Sequence, residues 1–99
     1  MKYGRFGEFW LDLTRRLENR ASVRQWAADS GDSCRTFDAF TYGPFLVADT
    51  PTAKILQELP RFEVELVWSH WHEYLKSDWI QEDGPATDYI ISLIHWMES

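Results

Sequence analysis

Cysteine is nearly absent from this 99-residue sequence, which contains only Cys34. A single cysteine excludes an internal disulfide, and small secreted domains usually carry an even set, so we expect a cytoplasmic protein. Apolar runs are short and fall far below the roughly 20 residues of a bilayer-spanning helix. The five glycines are scattered and form no phosphate-binding motif, so the sequence predicts no nucleotide or other cofactor.

Basic residues are scarce in the second part of the chain. The net charge of −6 combines +2 from residues 1–35 with −8 from residues 36–99. A surplus of carboxylates repels the phosphate backbone of nucleic acids and attracts basic protein surfaces. The charge pattern therefore favours a basic protein partner over nucleic acid, or a solvated acidic surface with no partner.

Aromatic residues, by contrast, are abundant: six Trp, six Phe and four Tyr. They supply large apolar side chains to a chain too short for two independent cores, so we predict one domain over residues 1–99. Tryptophan is also enriched among the residues that anchor protein interfaces. Three tryptophans are not clearly placed on the apolar stripes of the predicted helices and are candidate anchors: Trp26, Trp79 and Trp96.

Helical periodicity dominates the hydrophobic pattern. Apolar residues recur at three- and four-residue steps from Phe6 to Leu17, and again around Val67 and Trp71. Ser22 and Gln25 match a capping box, and Thr50-Pro51 matches a helix start. We predict an all-α bundle of about five unequal helices around an aromatic core, over residues 5–20, 22–29, 50–59, 61–77 and 85–98. Residues 36–48 are predicted to be irregular or briefly extended.

Residues 22–40 give one alternative function. Their spacing of Ala27, Gly31 and Phe37 is similar to that of a helix-turn-helix. The resemblance implies a nucleic-acid-binding regulator whose second helix enters the major groove. Ser30 and Asp32 depart from it, because the motif has apolar residues beside its glycine.

A metal-dependent enzyme is a further alternative. His70 and His72 are two residues apart, so a helix directs them to nearly opposite sides. One of them could bind metal only together with His95 and an acidic residue brought close by folding. No histidine neighbours Cys34 in the sequence to act as its base, so no catalytic or metal-binding residue is assigned.

The leading hypothesis is a small acidic protein-binding module, an inhibitor or neutraliser that covers a basic surface of a macromolecular partner. It depends on the acidic surplus, the aromatic content and the lack of a catalytic motif. The oligomeric state stays open. The candidate contact residues are Glu63, Glu65, Glu73, Glu82, Asp83, Asp88, Trp79 and Trp96.

Overall fold

In the residues that the structure describes, four helices combine with a four-stranded antiparallel sheet. A computed structural model describes residues 2–50, 56–79 and 84–98. The strands are hydrogen-bonded in chain order, β1-β2-β3-β4. The predicted all-α bundle is therefore wrong, and the chain is α+β. The elements in chain order are α1 (Phe6–Arg16), β1 (Ala21–Ala27), β2 (Gly31–Tyr42), β3 (Phe45–Asp49), β4 (Leu56–Glu58), α2 (Arg61–Ser69), α3 (Trp71–Leu75) and α4 (Thr87–Glu98).

The error begins at the capping box. Residues 22–29 were predicted to be helical, but Ser22 and Gln25 lie in β1. In the strand, Val23 pairs with Phe37 of β2, and both side chains are buried. A capping residue contributes about 1 kcal/mol, whereas burying one Val or Phe side chain contributes about 1.5–3 kcal/mol. Tertiary burial therefore outweighs the local helix signal.

The β2–β3 hairpin occupies the segment that was predicted to be irregular or briefly extended. Tyr42 pairs with Phe45 across the two-residue turn Gly43-Pro44. Gly43 has a φ of 61°, and the following proline fixes a negative φ, which together match a type II′ turn. Most of residues 36–48 is thus regular strand. The helix predicted over 50–59 is also wrong, because Leu56–Glu58 forms β4; residues 51–55 lie outside the described residues.

The remaining helix predictions are confirmed, with shorter bounds. Helix α1 lies within the predicted 5–20, and α4 within 85–98. The helix predicted over 61–77 is divided into α2 and α3 at His70. Much of the predicted apolar stripes of these elements is buried, at Val64, Val67, Trp71, Ile90, Ile91, Leu93, Ile94 and Met97. Leu75 was predicted to lie on the stripe of residues 61–77, but it is exposed at the end of α3.

The core lies between the helices and one face of the sheet. Strand alternation directs Phe37, Ala39 and Leu46 into the core cluster, which also holds buried residues of α1, α2, α3 and α4. The opposite face carries five apolar side chains that do not belong to this cluster: Phe40, Tyr42, Phe45, Val47 and Leu56. One face of the sheet is therefore packed against helices, and the other carries an apolar surface of its own.

Candidate partner-binding groove

A groove of about 490 Å³ opens between the β2–β3 turn and the start of α2. Its volume lies within the range of about 300–1,000 Å³ that is usual for ligand sites. Most of its lining side chains are apolar, and three are charged. The lining residues are Trp10, Pro44, Phe45, Leu46, Glu58, Leu59, Pro60, Arg61, Phe62 and Glu65.

A backbone hydrogen bond holds together the two walls of the groove, the β2–β3 hairpin and the start of α2. The Leu59 N–H donates to the Leu46 carbonyl oxygen at 2.8 Å, which joins the segment after β4 to the start of β3. Pro60 follows with extended backbone angles and caps α2. The chain therefore turns into the helix directly beside the hairpin. This short connection places the first turn of α2 against the β2–β3 turn.

Two phenylalanines leave much of their side chains in solvent at the groove. Phe62 on the α2 wall is 71% exposed, and Phe45 on the hairpin wall is 49% exposed. Trp10 of α1 also lines the groove and is half-buried. Solvent contact of large apolar side chains is unfavourable by roughly 25 cal/mol for each Å². Clustered exposed apolar groups of this kind are typical of interaction surfaces.

The charged groups of the groove differ in their contacts with the rest of the protein. The Arg61 guanidinium lies 5.7 Å from the Trp10 ring centroid and 5.5 Å from that of Phe6, so cation–π contacts hold it against the protein. Within residues 2–50, 56–79 and 84–98, neither Glu58 nor Glu65 forms an ion pair. Both side chains are exposed at the rim. The groove therefore offers two carboxylates, unpaired within the described part of the chain, beside exposed aromatic rings.

The apolar surface continues from Phe45 onto the outer face of the sheet. Its cross-strand neighbour Tyr42 is 68% exposed, and Leu56 of β4 is also exposed. Farther along, the Arg20 guanidinium covers Phe40 at 4.2 Å from the ring centroid. The outer face is thus most open beside the groove.

Arg20 closes the far end of this face. Its guanidinium donates to Asp38 at 3.0 Å and to Asp49 at 3.2 Å. Asp38 and Asp49 pair directly across β2 and β3, so Arg20 neutralises two carboxylates that would otherwise repel each other. The hydrogen bond to Asp38 is the main cause that raises the pKa of Arg20. This cluster is satisfied within the chain and stabilises the sheet.

Of the predicted acidic contacts that the structure describes, only Glu65 lines the groove. Glu63 is a half-buried neighbour on α2, whereas Glu73 is exposed on α3 and Asp88 on α4. The four described acidic contacts, Glu63, Glu65, Glu73 and Asp88, thus belong to three different helices. Glu82 and Asp83 lie outside the described residues.

The predicted tryptophan anchors are half-buried in contacts within the chain. Trp79 stacks on His70 with 4.6 Å between ring centroids, and the Arg16 guanidinium lies 6.0 Å from the ring centroid of Trp96. Trp26, the third candidate anchor, stacks on His95 at 3.9 Å. Each therefore has part of its surface covered by another side chain.

The most exposed aromatic residues are ones that the sequence interpretation missed: Tyr42, Phe45 and Phe62. Two signals were present. Tyr42 and Phe45 flank the Gly43-Pro44 turn, a position at the tip of a hairpin. Phe62 falls off the apolar stripe of Val64, Val67 and Trp71, so a helix directs it outward.

Neither alternative function gains support from the geometry. Residues 22–40 lie in β1, β2 and their connection, so the two helices of a helix-turn-helix are absent from this segment. Among the residues that the structure describes, no group of three or more His, Cys, Asp or Glu side chains converges as a metal site would require. The hydrogen bonds and ring contacts of His70 and Trp26 are instead structural.

A second, smaller pocket of about 180 Å³ lies between β1 and α4. The Ser92 hydroxyl in its wall accepts a hydrogen bond from the Trp26 N–H at 3.0 Å and donates to the Asp88 carbonyl at 2.9 Å. This buried hydroxyl joins the helix to the sheet where the β1 register shifts. Its polar group is thus already used in folding.

Comparison with known proteins gives no match: no family model matches the chain, and no curated protein or solved structure is significantly similar to it. None of the helices in the described ranges is long and apolar enough to cross a membrane. The function is therefore argued from the groove and its surroundings.

Proposed function

We propose that this chain is a small acidic protein-binding module that takes a basic segment of a partner into the groove between the β2–β3 turn and α2. One observation carries the proposal: the exposed Phe45 and Phe62 rings line the two walls, and they are bordered by the carboxylates of Glu58 and Glu65, which form no ion pair with any residue that the structure describes. This combination suits an apolar partner side chain with a lysine or arginine next to it.

The buried apolar area indicates how much the groove alone contributes to the free energy of binding. A fully buried aromatic side chain removes about 150–250 Å² from water, so covering the exposed parts of Phe45 and Phe62 removes roughly 200 Å². At about 25 cal/mol for each Å², this contributes roughly 5 kcal/mol. Association itself costs about 4–15 kcal/mol, so the groove alone binds weakly. The rim carboxylates and the partner surface beyond the groove must supply the remainder.

The net charge of −6 supports the same function at longer range. An acidic protein attracts a basic surface before contact and raises the association rate, most strongly at low ionic strength. An inhibitor or neutraliser acts in this way when it occupies the basic surface that its partner uses for another ligand. Such a role needs no catalytic group on this chain.

Selection from a peptide display library tests the proposal. We expect the wild-type protein to enrich segments that combine Lys or Arg with bulky apolar residues. Phe62→Ala should weaken the selected binders by at least about tenfold, whereas Leu75→Ala should not, because Leu75 is an exposed apolar residue of α3 outside the groove. Binders without basic residues, or equal binding to both variants, would contradict the proposal.

Charge reversal separates the rim from the rest of the acidic surface. Glu65→Lys should slow association with a selected binder by about tenfold at low salt, because Glu65 lines the groove. Glu73→Lys changes the net charge equally, but Glu73 does not line the groove, so its effect should be much smaller. Stopped-flow measurements at several salt concentrations give both rates. Equal slowing by the two variants would show that only the overall charge matters.

A further inference from the structure

The composition of the groove points to the conformation of its ligand. Five of its lining residues carry rings, three aromatic and two from proline: Trp10, Phe45, Phe62, Pro44 and Pro60. Aromatic-lined surface grooves are the usual binding sites of proline-rich segments in the polyproline II conformation. A groove that binds an amphipathic helix is instead hydrophobic along its length, because it takes several side chains from one face of that helix.

We infer that the groove binds a proline-rich segment of a partner protein that carries an arginine or lysine about one turn from its apolar contact. This inference rests on the proposed function and specifies the ligand of the same site.

The energetics of a shallow site favour such a ligand. The groove covers little surface, so a flexible peptide would lose most of the gain in ordering its own backbone. A polyproline II segment is already extended and rigid before it binds, and this cost is small. Its exposed proline rings and apolar side chains can pack against Phe45 and Phe62.

The rim carboxylates fit the repeat of this conformation. A polyproline II helix has three residues in each turn and rises about 3.1 Å per residue, so side chains at positions i and i+3 point the same way about 9 Å apart. One such position fills the groove between the two phenylalanines. A basic residue at the next can reach Glu58 or Glu65, which have no ion-pair partner within the described part of the chain.

Three synthetic peptides of about ten residues, each spanning roughly 30 Å when fully extended in polyproline II form, test the inference. The first contains a Pro-Pro-Leu-Pro-Pro-Arg core. The second replaces the arginine with glutamate, and the third replaces every proline with alanine while keeping the charge. Titration of the whole protein is followed by two-dimensional NMR of backbone amides, which gives both affinity and location.

We expect the first peptide to bind with a dissociation constant below about 1 mM and to shift the amides of Phe45, Phe62 and Glu65. The arginine-to-glutamate and proline-to-alanine peptides should each bind at least tenfold more weakly. Phe62→Ala should abolish the response, and Leu75→Ala should leave it unchanged. A double change, Glu58→Gln with Glu65→Gln, should make the first two peptides bind alike.

Three results would overturn the inference in different ways. If the alanine peptide binds as well as the proline peptide, or if the selected library binders lack proline, the ligand conformation is wrong and the proposed function stands. If no peptide binds and the library selection yields no groove-dependent binder either, both are wrong. Shifts confined to residues outside the groove would place the binding site elsewhere and refute the inference.

Discussion

Replacement of Phe37 by alanine tests the sheet and its register most directly. Phe37 is completely buried on β2, where it pairs with Val23 and makes an edge contact with the Tyr89 ring at 5.0 Å. Truncating a buried phenylalanine usually costs about 3–5 kcal/mol, and full burial supports the upper half of this range. Tyr42 lies on the opposite face of the same strand and is 68% exposed, so Tyr42→Ala should cost less than about 1 kcal/mol.

Equilibrium urea unfolding measures both free energies, with circular dichroism and tryptophan fluorescence as independent probes. Domains of this size have total stabilities of about 5–15 kcal/mol, so Phe37→Ala leaves little margin. If it does not fold, Phe37→Leu is compared with Tyr42→Leu: the first should cost about 1 kcal/mol, and the second less than about 0.5 kcal/mol because Tyr42 is exposed. A one-residue slip of register would exchange the two faces of the strand. Similar costs for Phe37→Ala and Tyr42→Ala, or a greater cost for Tyr42→Ala, would therefore refute the described register.

Three further predictions concern the rest of the fold. Trp71 is 4% exposed, so Trp71→Ala should lower the free energy of unfolding in urea by about 3–5 kcal/mol. A loss below about 1 kcal/mol would contradict the placement of this helix face in the core. The Tyr3 hydroxyl donates to the Asp12 carboxylate, and this hydrogen bond lowers the pKa of Asp12, whereas burial and then this hydrogen bond raise the pKa of Tyr3. Tyr3→Phe should therefore raise the pKa of Asp12 in an NMR titration. The variant should be less stable than the wild type at neutral pH, and this difference in unfolding free energy should shrink below about pH 4, where Asp12 is protonated, and above about pH 10, where Tyr3 of the wild type ionises. A difference independent of pH would contradict this. Arg20→Gln should lower the unfolding temperature at neutral pH because its two carboxylate partners then repel each other, and adding Asp38→Asn should recover part of the loss; no recovery would mean that Arg20 acts through its contact with Phe40.

The proposed binding site depends on the same features that these experiments examine. The β2–β3 hairpin forms one wall of the groove, and its register decides whether Phe45 or Leu46 faces outward. Because side chains alternate along a strand, a stable register is needed to keep Phe45 at the groove and Leu46 in the core. Variants that disturb the hairpin should weaken peptide binding even when they leave the lining residues unchanged.

Local periodicity was sufficient to predict the helices that have an apolar stripe and a polar opposite side. Val64, Val67 and Trp71 recur at helical spacing, and the structure buries all three. The apolar residues of α4 follow the same rule. These elements were predictable because the repeat of a helix is contained within a few neighbouring residues. The absence of a second cysteine and the acidic surplus are likewise properties of the sequence itself.

The sheet could not be predicted in the same way, because its stability comes from pairing between distant residues. Ser22 and Gln25 match a helix start locally, but Val23 is buried only when Phe37 lies opposite it. The groove could not be predicted from the sequence for the same reason, because its walls come from distant parts of the chain. Phe45 and Phe62 are 17 positions apart in the sequence, and they line one groove only because the Leu59 N–H bonds to Leu46 and turns α2 against the hairpin. The sequence by itself determined the acidic, aromatic character of the surface, and tertiary packing decided which of those side chains stay exposed and meet, since burial is settled by contacts across the whole chain.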